Sequence, residues 1–196
     1  MGDGLKIAIQ RAGDDIAQNR CHNGWTHGHC MSNVFVFAPD GTIVMAVLNC
    51  PGSMHDSELA SLGEPSIYDK IDKLHDETGC QCVMDSAFAA RSRPSIIKSF
   101  ASDNIVFQAN SPEDLQMLKD AKSVRQAAEW GMRALQGSFP RLKAVFPWEE
   151  RDERLVGLSL ITLLSNHKVN NIGLNQLRTV YWDSWRGGLE EESSGS

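Results

Sequence analysis

Hydrophobic and polar positions alternate at the start of the chain. Leu5, Ile7 and Ile9 interleave with Lys6, Ala8 and Gln10, which predicts a strand over Leu5–Gln10. The stretch 11–31, rich in Arg, Gly, Asp, Asn, His and Cys, reads as a loop. A second strand is predicted over Asn33–Phe37 and a third, apolar on both faces, over Thr42–Asn49. Pro39, Asp40 and Gly41 supply the turn between them. The first fifty residues therefore read as a three-stranded antiparallel meander.

The period then changes. Pro51-Gly52-Ser53 breaks the sheet, and Ser53 or Asp56 is placed to cap a helix with Glu58 in its first turn. Pro65–Leu74 reads as a second helix, Gln81–Met84 as a short buried strand ending at Asp85, Arg93–Phe100 as a short helix and Asn104–Gln108 as a strand. Ser111 is a good N-cap, with Pro112 at the first helical position and Asp114 three residues on. Leu115, Leu118, Ala121, Ala128, Met132 and Leu135 then mark one face of a long helix that Gly137 is expected to end. Glu150–Asn166 reads as a last helix, apolar from Leu155 onward. A meander followed by strand–helix–strand units implies an α/β fold, a mixed sheet flanked by helices on both faces. One domain is expected over 1–186, with a disordered tail over 187–196.

Composition narrows the function. With 19 Lys+Arg and 25 Asp+Glu, the net charge of −6 argues against a uniformly basic nucleic-acid binder. Locally the balance reverses: Lys119, Lys122, Arg125, Arg133, Arg141 and Lys143 face only Asp120 and Glu129 across 119–143, a candidate phosphate-facing strip. Five cysteines make a disulfide scaffold unexpected and point to a reducing compartment. The longest apolar runs, Ile43–Leu48 and Leu155–Leu164, fall well short of the roughly 20 residues that span a bilayer, so no membrane association is expected. No signal peptide is expected.

Three carboxylates stand out. Asp85 follows a buried strand, where an ionised group is costly unless compensated, and it could bind a ligand or cap the next segment. Glu129 shares a helix face with Arg125 and Arg133, either as a solvated salt-bridge row or as part of a site. Asp3 reads alone as a polar terminus. The cluster Cys21, His27, His29 and Cys30 admits a zinc reading, although its spacing is irregular, and His27 and His29 could instead flank an active site. Cys80 and Cys82 are read as core packing around a strand.

Taken in order, these segments resemble the DDE superfamily endonucleases of the Harbinger type, which include transposases and transposase-derived nucleases. The matching stretches are Asp3-Gly4, the run from Asn23 to His29, Phe37 to Gly41, Asn49 to Ser57 with its Pro51-Gly52-Ser53 and His55-Asp56, Val83 to Phe88, Arg125 to Gly131, and Leu164 to His167. The resemblance implies an RNase H-like fold with Asp3, Asp85 and Glu129 as catalytic and metal-binding carboxylates. It implies two Mg²⁺ or Mn²⁺ ions that clamp an in-line phosphodiester displacement. It also implies a DNA substrate contacted by Arg125, Arg133, His29 and His55, and action in the nucleus. Family members carry an upstream helix-turn-helix-like DNA-binding region; this chain is expected to lack it and the first half-strand, so a separate DNA-binding partner protein is a further expectation. Two rival expectations remain: an inactive, domesticated DNA-associated adaptor that keeps the fold, and a zinc-binding interaction module.

Overall fold

The structure, a computed structural model, describes residues 1–88, 93–99, 111–172 and 179. The chain runs β1 (Gly2–Ala8), α1 (Asp15–Cys21), β2 (His22–Asn23), β3 (Gly28–Phe37), β4 (Ile43–Pro51), α2 (Asp56–Ala60), α3 (Ile67–Thr78), β5 (Cys82–Asp85), β6 (Ile96–Ser99), α4 (Pro112–Ser138), a 3₁₀ turn (Pro140–Lys143) and α5 (Arg151–Ile172).

The expected meander forms. β3 pairs antiparallel with β1, from Gly2↔Val36 to Ala8↔Cys30, and antiparallel with β4 on its other edge. The two-residue β2 also pairs with β3. β1 then meets β5 in parallel at Gly2↔Met84, and β5 pairs in parallel with β6. The result is one mixed sheet with β1 between the antiparallel and parallel halves.

Strand alternation sorts the core into two layers. One face carries Leu5, Ile7, Ile9, Met31, Phe35 and Phe37 against Met132 and Leu135 of α4, Leu142, Phe146 and Leu158 of α5. The other carries Val34, Val36 and Met84 against Leu59 and Ala60 of α2 and Ile67, Tyr68 and Ile71 of α3. Helices therefore cover both faces. α4 lies close against β3 at Gly131, where a Cβ would stand 3.0 Å from the Phe37 ring.

Several elements differ from the sequence reading. β1 begins at Gly2, not Leu5, because its ladder with β3 continues through Asp3↔Phe35. The stretch read as a loop holds α1, whose N-terminus is capped by Asp14 accepting the Ala17 N–H at 2.8 Å, and the start of β3. α2 is capped at neither Ser53 nor Asp56 but at His55, whose N–H donates to Glu58 at 3.0 Å. α3 starts later and runs longer, from a Ser66 cap locked reciprocally with Asp69 to a left-handed Gly79.

The segment expected as a helix over Arg93–Phe100 is instead β6. Two adjacent β-branched residues, Ile96 and Ile97, ladder with Cys82 and Val83, and that pairing outweighs the short helical pattern. α4 passes Gly137 and stops at Phe139, before Pro140. α5 extends six residues beyond Asn166, with Leu158 and Ile161 toward the core and Val156, Leu160 and Leu163 exposed. The expected strand Asn104–Gln108 and tail 187–196 lie outside the described residues. Among the described residues, no helix is long and apolar enough to cross a membrane.

Candidate active site

β1 places Asp3 on the same sheet face as Leu5 and Ile7, toward α4. β5 alternates likewise: Cys82 and Met84 enter the α2–α3 layer, so Val83 and Asp85 point toward α4. α4 contributes Glu129 and, one turn earlier, Arg125. These four side chains meet electrostatically. Arg125 Nη2 donates to Glu129 Oε1 at 2.8 Å, and its Nη1 lies 3.7 Å from Asp85 Oδ2.

The electrostatics of Asp3 show the crowding most clearly. Burial pushes its carboxyl up from an ordinary 3.8 to about 6. The Gly4 N–H, donating to Asp3 Oδ1 at 2.8 Å, pulls in the opposite direction, as does Arg125; the charges of Asp85 and Glu129 push it up further. Asp85 is also fixed locally, its Oδ1 accepting the Ala87 N–H. These are oxygen donors, the type that hard divalent cations prefer. In this structure Arg125 supplies the positive charge between Asp85 and Glu129. Among the described residues, no three His, Cys, Asp or Glu side chains are drawn closely enough together to hold an ion as they stand.

The other residues singled out in the sequence lie elsewhere. Arg133, one turn beyond Glu129, is exposed, with no ion pair among the described residues. His29 sits on β3 six residues from Phe35, the partner of Asp3, which is about 20 Å along the strand. Its Nε2 is buried without a hydrogen-bond partner, and its ring packs edge-on against His22 at 5.7 Å. His55 begins α2, beneath the opposite face of the sheet from Asp3. Cys21 and Cys30 are buried beside the Gly52 backbone, and His29, next to Cys30 on an extended strand, points to the other face, so the zinc constellation is not assembled. Cys82 packs in the core as expected, but Cys80 is exposed.

Asp56, which the sequence offered as a helix cap and as part of the His55-Asp56 pair, lies in the first turn of α2 and reaches β1. Its carboxylate lies against Gly4: a Cβ there would stand 2.7 Å from Asp56 Oδ2. Burial raises the Asp56 pKa; Lys6 lowers it and Asp85 raises it.

A family model described as DDE superfamily endonuclease matches residues 2–162 of the chain. That span is most of the sequence and includes Asp3, Asp85 and Glu129, and the chain belongs to this family. The family indicates a transposase-derived nuclease acting on DNA. No curated protein and no solved structure gives a significant match.

Proposed function

We propose that the chain is a divalent-metal-dependent DNA endonuclease of the Harbinger type, with Asp3, Asp85 and Glu129 as its catalytic carboxylates. One observation carries this reading: carboxylates from β1, β5 and α4 share one face of the sheet, where burial above all, with the charges of Asp85 and Glu129 adding to it, raises Asp3 to about 6. Such repulsion is destabilising without a counter-charge, and family membership supplies a reason to keep it. An RNase H-like fold is supported by the strand arrangement, in which an antiparallel β4–β3–β1 half continues into parallel β5 and β6.

In this reading Asp3, Asp85 and Glu129 hold two Mg²⁺ or Mn²⁺ ions. When bound, these supply Lewis-acid stabilisation of the attacking and leaving oxygens of a phosphodiester. The chain's own residues do the positioning. The strand ends fix Asp3 and Asp85 through backbone N–H donors at Gly4 and Ala87. Arg125 orients Glu129 through a charge-assisted hydrogen bond and is free to turn to a substrate phosphate when the carboxylates gain another counter-charge. Lys119, Lys122, Arg133, Arg141 and Lys143 give this part of the chain a local positive balance that favours a phosphate backbone.

The inactive-adaptor reading is favoured by a single observation, the Arg125 bridge between Asp85 and Glu129, which already neutralises part of the cluster. Plasmid nicking in Mg²⁺ or Mn²⁺ by the wild type and by Asp85→Asn separates the two: the nuclease reading requires activity that the substitution abolishes.

A further inference from the structure

A second cleft opens where α1, the far ends of β3 and β4, and the N-terminus of α5 meet. It has a volume of about 370 Å³, and its walls include Arg20, Met31, Asn49, Trp148, Arg151 and Arg154. The carboxylate cluster does not line it.

The cleft is built around a buried cation. Arg154 is only 5% exposed. Its Nε donates to Met31 Sδ at 2.9 Å and to Asn49 Oδ1 at 3.3 Å, while Nη1 donates to the carbonyls of Pro147 and Trp148. Among the described residues no carboxylate forms an ion pair with it. It also stands in the first turn of α5, where the helix dipole is already positive. Neutral acceptors therefore satisfy much of this guanidinium; among the neighbouring charges Glu150 favours its charged form and Arg151 opposes it.

Of the charged residues that line the cleft, three are arginines and two are the carboxylates Asp14 and Glu149. Arg20 and Arg151 add two exposed guanidinium groups with no ion pair among the described residues. Of the two acids on the rim, Asp14 is engaged in capping α1. Asn49, in a left-handed conformation with φ 59°, clips the helix start by donating from Nδ2 to the Arg151 carbonyl at 2.8 Å. Half-buried Trp148 offers an aromatic wall. The volume exceeds what a bare inorganic anion fills and lies at the small end of organic-ligand sites. An anionic group joined to a flat ring satisfies cations, aromatic wall and volume together.

Position adds the last constraint. Met31 is four residues along β3 from Phe35, the partner of Asp3, so the cleft lies on the same sheet face as the carboxylates, about 14 Å away. That is about four phosphate steps along one strand of a duplex.

We propose that this cleft is a nucleotide-phosphate subsite that holds the substrate strand to one side of the cut. Arg20 and Arg151 bind the phosphate and Trp148 stacks the base. The assignment of the nucleotide to a DNA strand rests on the nuclease reading above; the anion site does not.

The test is calorimetric titration of the full chain in EDTA with four probes: 5′-phosphorylated tetradeoxyadenylate, 5′-deoxyadenylate, deoxyadenosine and inorganic phosphate. The two phosphorylated nucleotide probes bind saturably, and deoxyadenosine and phosphate bind at least about tenfold more weakly. Arg20→Gln and Arg151→Gln, whose side chains make no hydrogen bond or ion pair among the described residues, each weaken binding by about tenfold, as expected for a charge-assisted hydrogen bond. Equal binding by the double arginine variant, with its thermal unfolding unchanged, overturns the proposal, and so does equal binding of deoxyadenosine and deoxyadenylate. Binding of the mononucleotide without the oligonucleotide overturns the strand assignment. Metal-dependent nicking that persists beside failed cleft binding refutes the cleft alone, whereas cleft binding without nicking refutes the nuclease reading alone.

Discussion

Replacing Asp3 by Asn removes the charge while keeping an oxygen that can accept the Gly4 N–H. Folding raises the Asp3 pKa from 3.8 to about 6. Between those values the folded state holds a proton that the unfolded state has released, so stability falls as pH rises through the window and the full loss is present above pH 6. A shift of this size corresponds to about 3 kcal/mol at neutral pH. Urea unfolding in EDTA, followed from pH 4.5 to 7.5, should therefore show Asp3→Asn more stable than the wild type at pH 7.5. The gap should widen by about 2 kcal/mol across the range, because the unfolded carboxyl is already largely ionised at pH 4.5. A variant less stable than the wild type at pH 7.5, or a gap that does not change with pH, would refute the claim that Asp3 is a crowded interior carboxylate.

Arg125→Gln removes the cation between Asp85 and Glu129. Metal-free stability should drop by about 1 kcal/mol, since the groups are partly solvated, and the Mn²⁺ concentration at which thermal unfolding shifts should fall; a rise in that concentration would mean that Arg125 holds the carboxylates in place for the ion. Mn²⁺ should raise the unfolding temperature of the wild type and leave that of Asp85→Asn unmoved, which a thermal-shift titration reads directly. Gly52→Ala puts a Cβ 2.3 Å from the Cys30 carbonyl oxygen and 2.6 Å from that of Cys21. Both neighbours are main chain and cannot rotate away, so urea unfolding should show a loss of about 2–3 kcal/mol; an unchanged midpoint would show that the segment relaxes freely.

Much of the scaffold was legible because it is written in local periodicity. Leu5, Ile7 and Ile9 announce β1, and the capped, one-sided pattern from Ser111 to Leu135 announces α4. β6 was not legible, since Ile96-Ile97-Lys98 is too short for its period to be told apart and its identity comes from the partner strand β5. α1 was hidden because its buried face is a single residue, Cys21.

The carboxylates divide in the same way. Asp85 carried a local signal at the end of a buried strand, whereas Asp3 sits between two glycines that show no periodicity, and only its pairing with Phe35 reveals an interior position. Asp56 against Gly4, and Arg154 with Asn49 some hundred residues earlier in the chain, are juxtapositions that no local pattern encodes.

The central claim is that Asp3, Asp85 and Glu129 form one metal-dependent cutting site. The most direct measurement is the rate of supercoiled plasmid nicking by purified wild type, Asp85→Asn and Glu129→Gln, with Mg²⁺ or Mn²⁺ and with EDTA. The account predicts nicking by the wild type that EDTA abolishes and that each substitution lowers by about a thousandfold or more, equivalent to about 4 kcal/mol of transition-state stabilisation. Equal rates in the wild type and the two variants, or nicking that persists in EDTA, would contradict it.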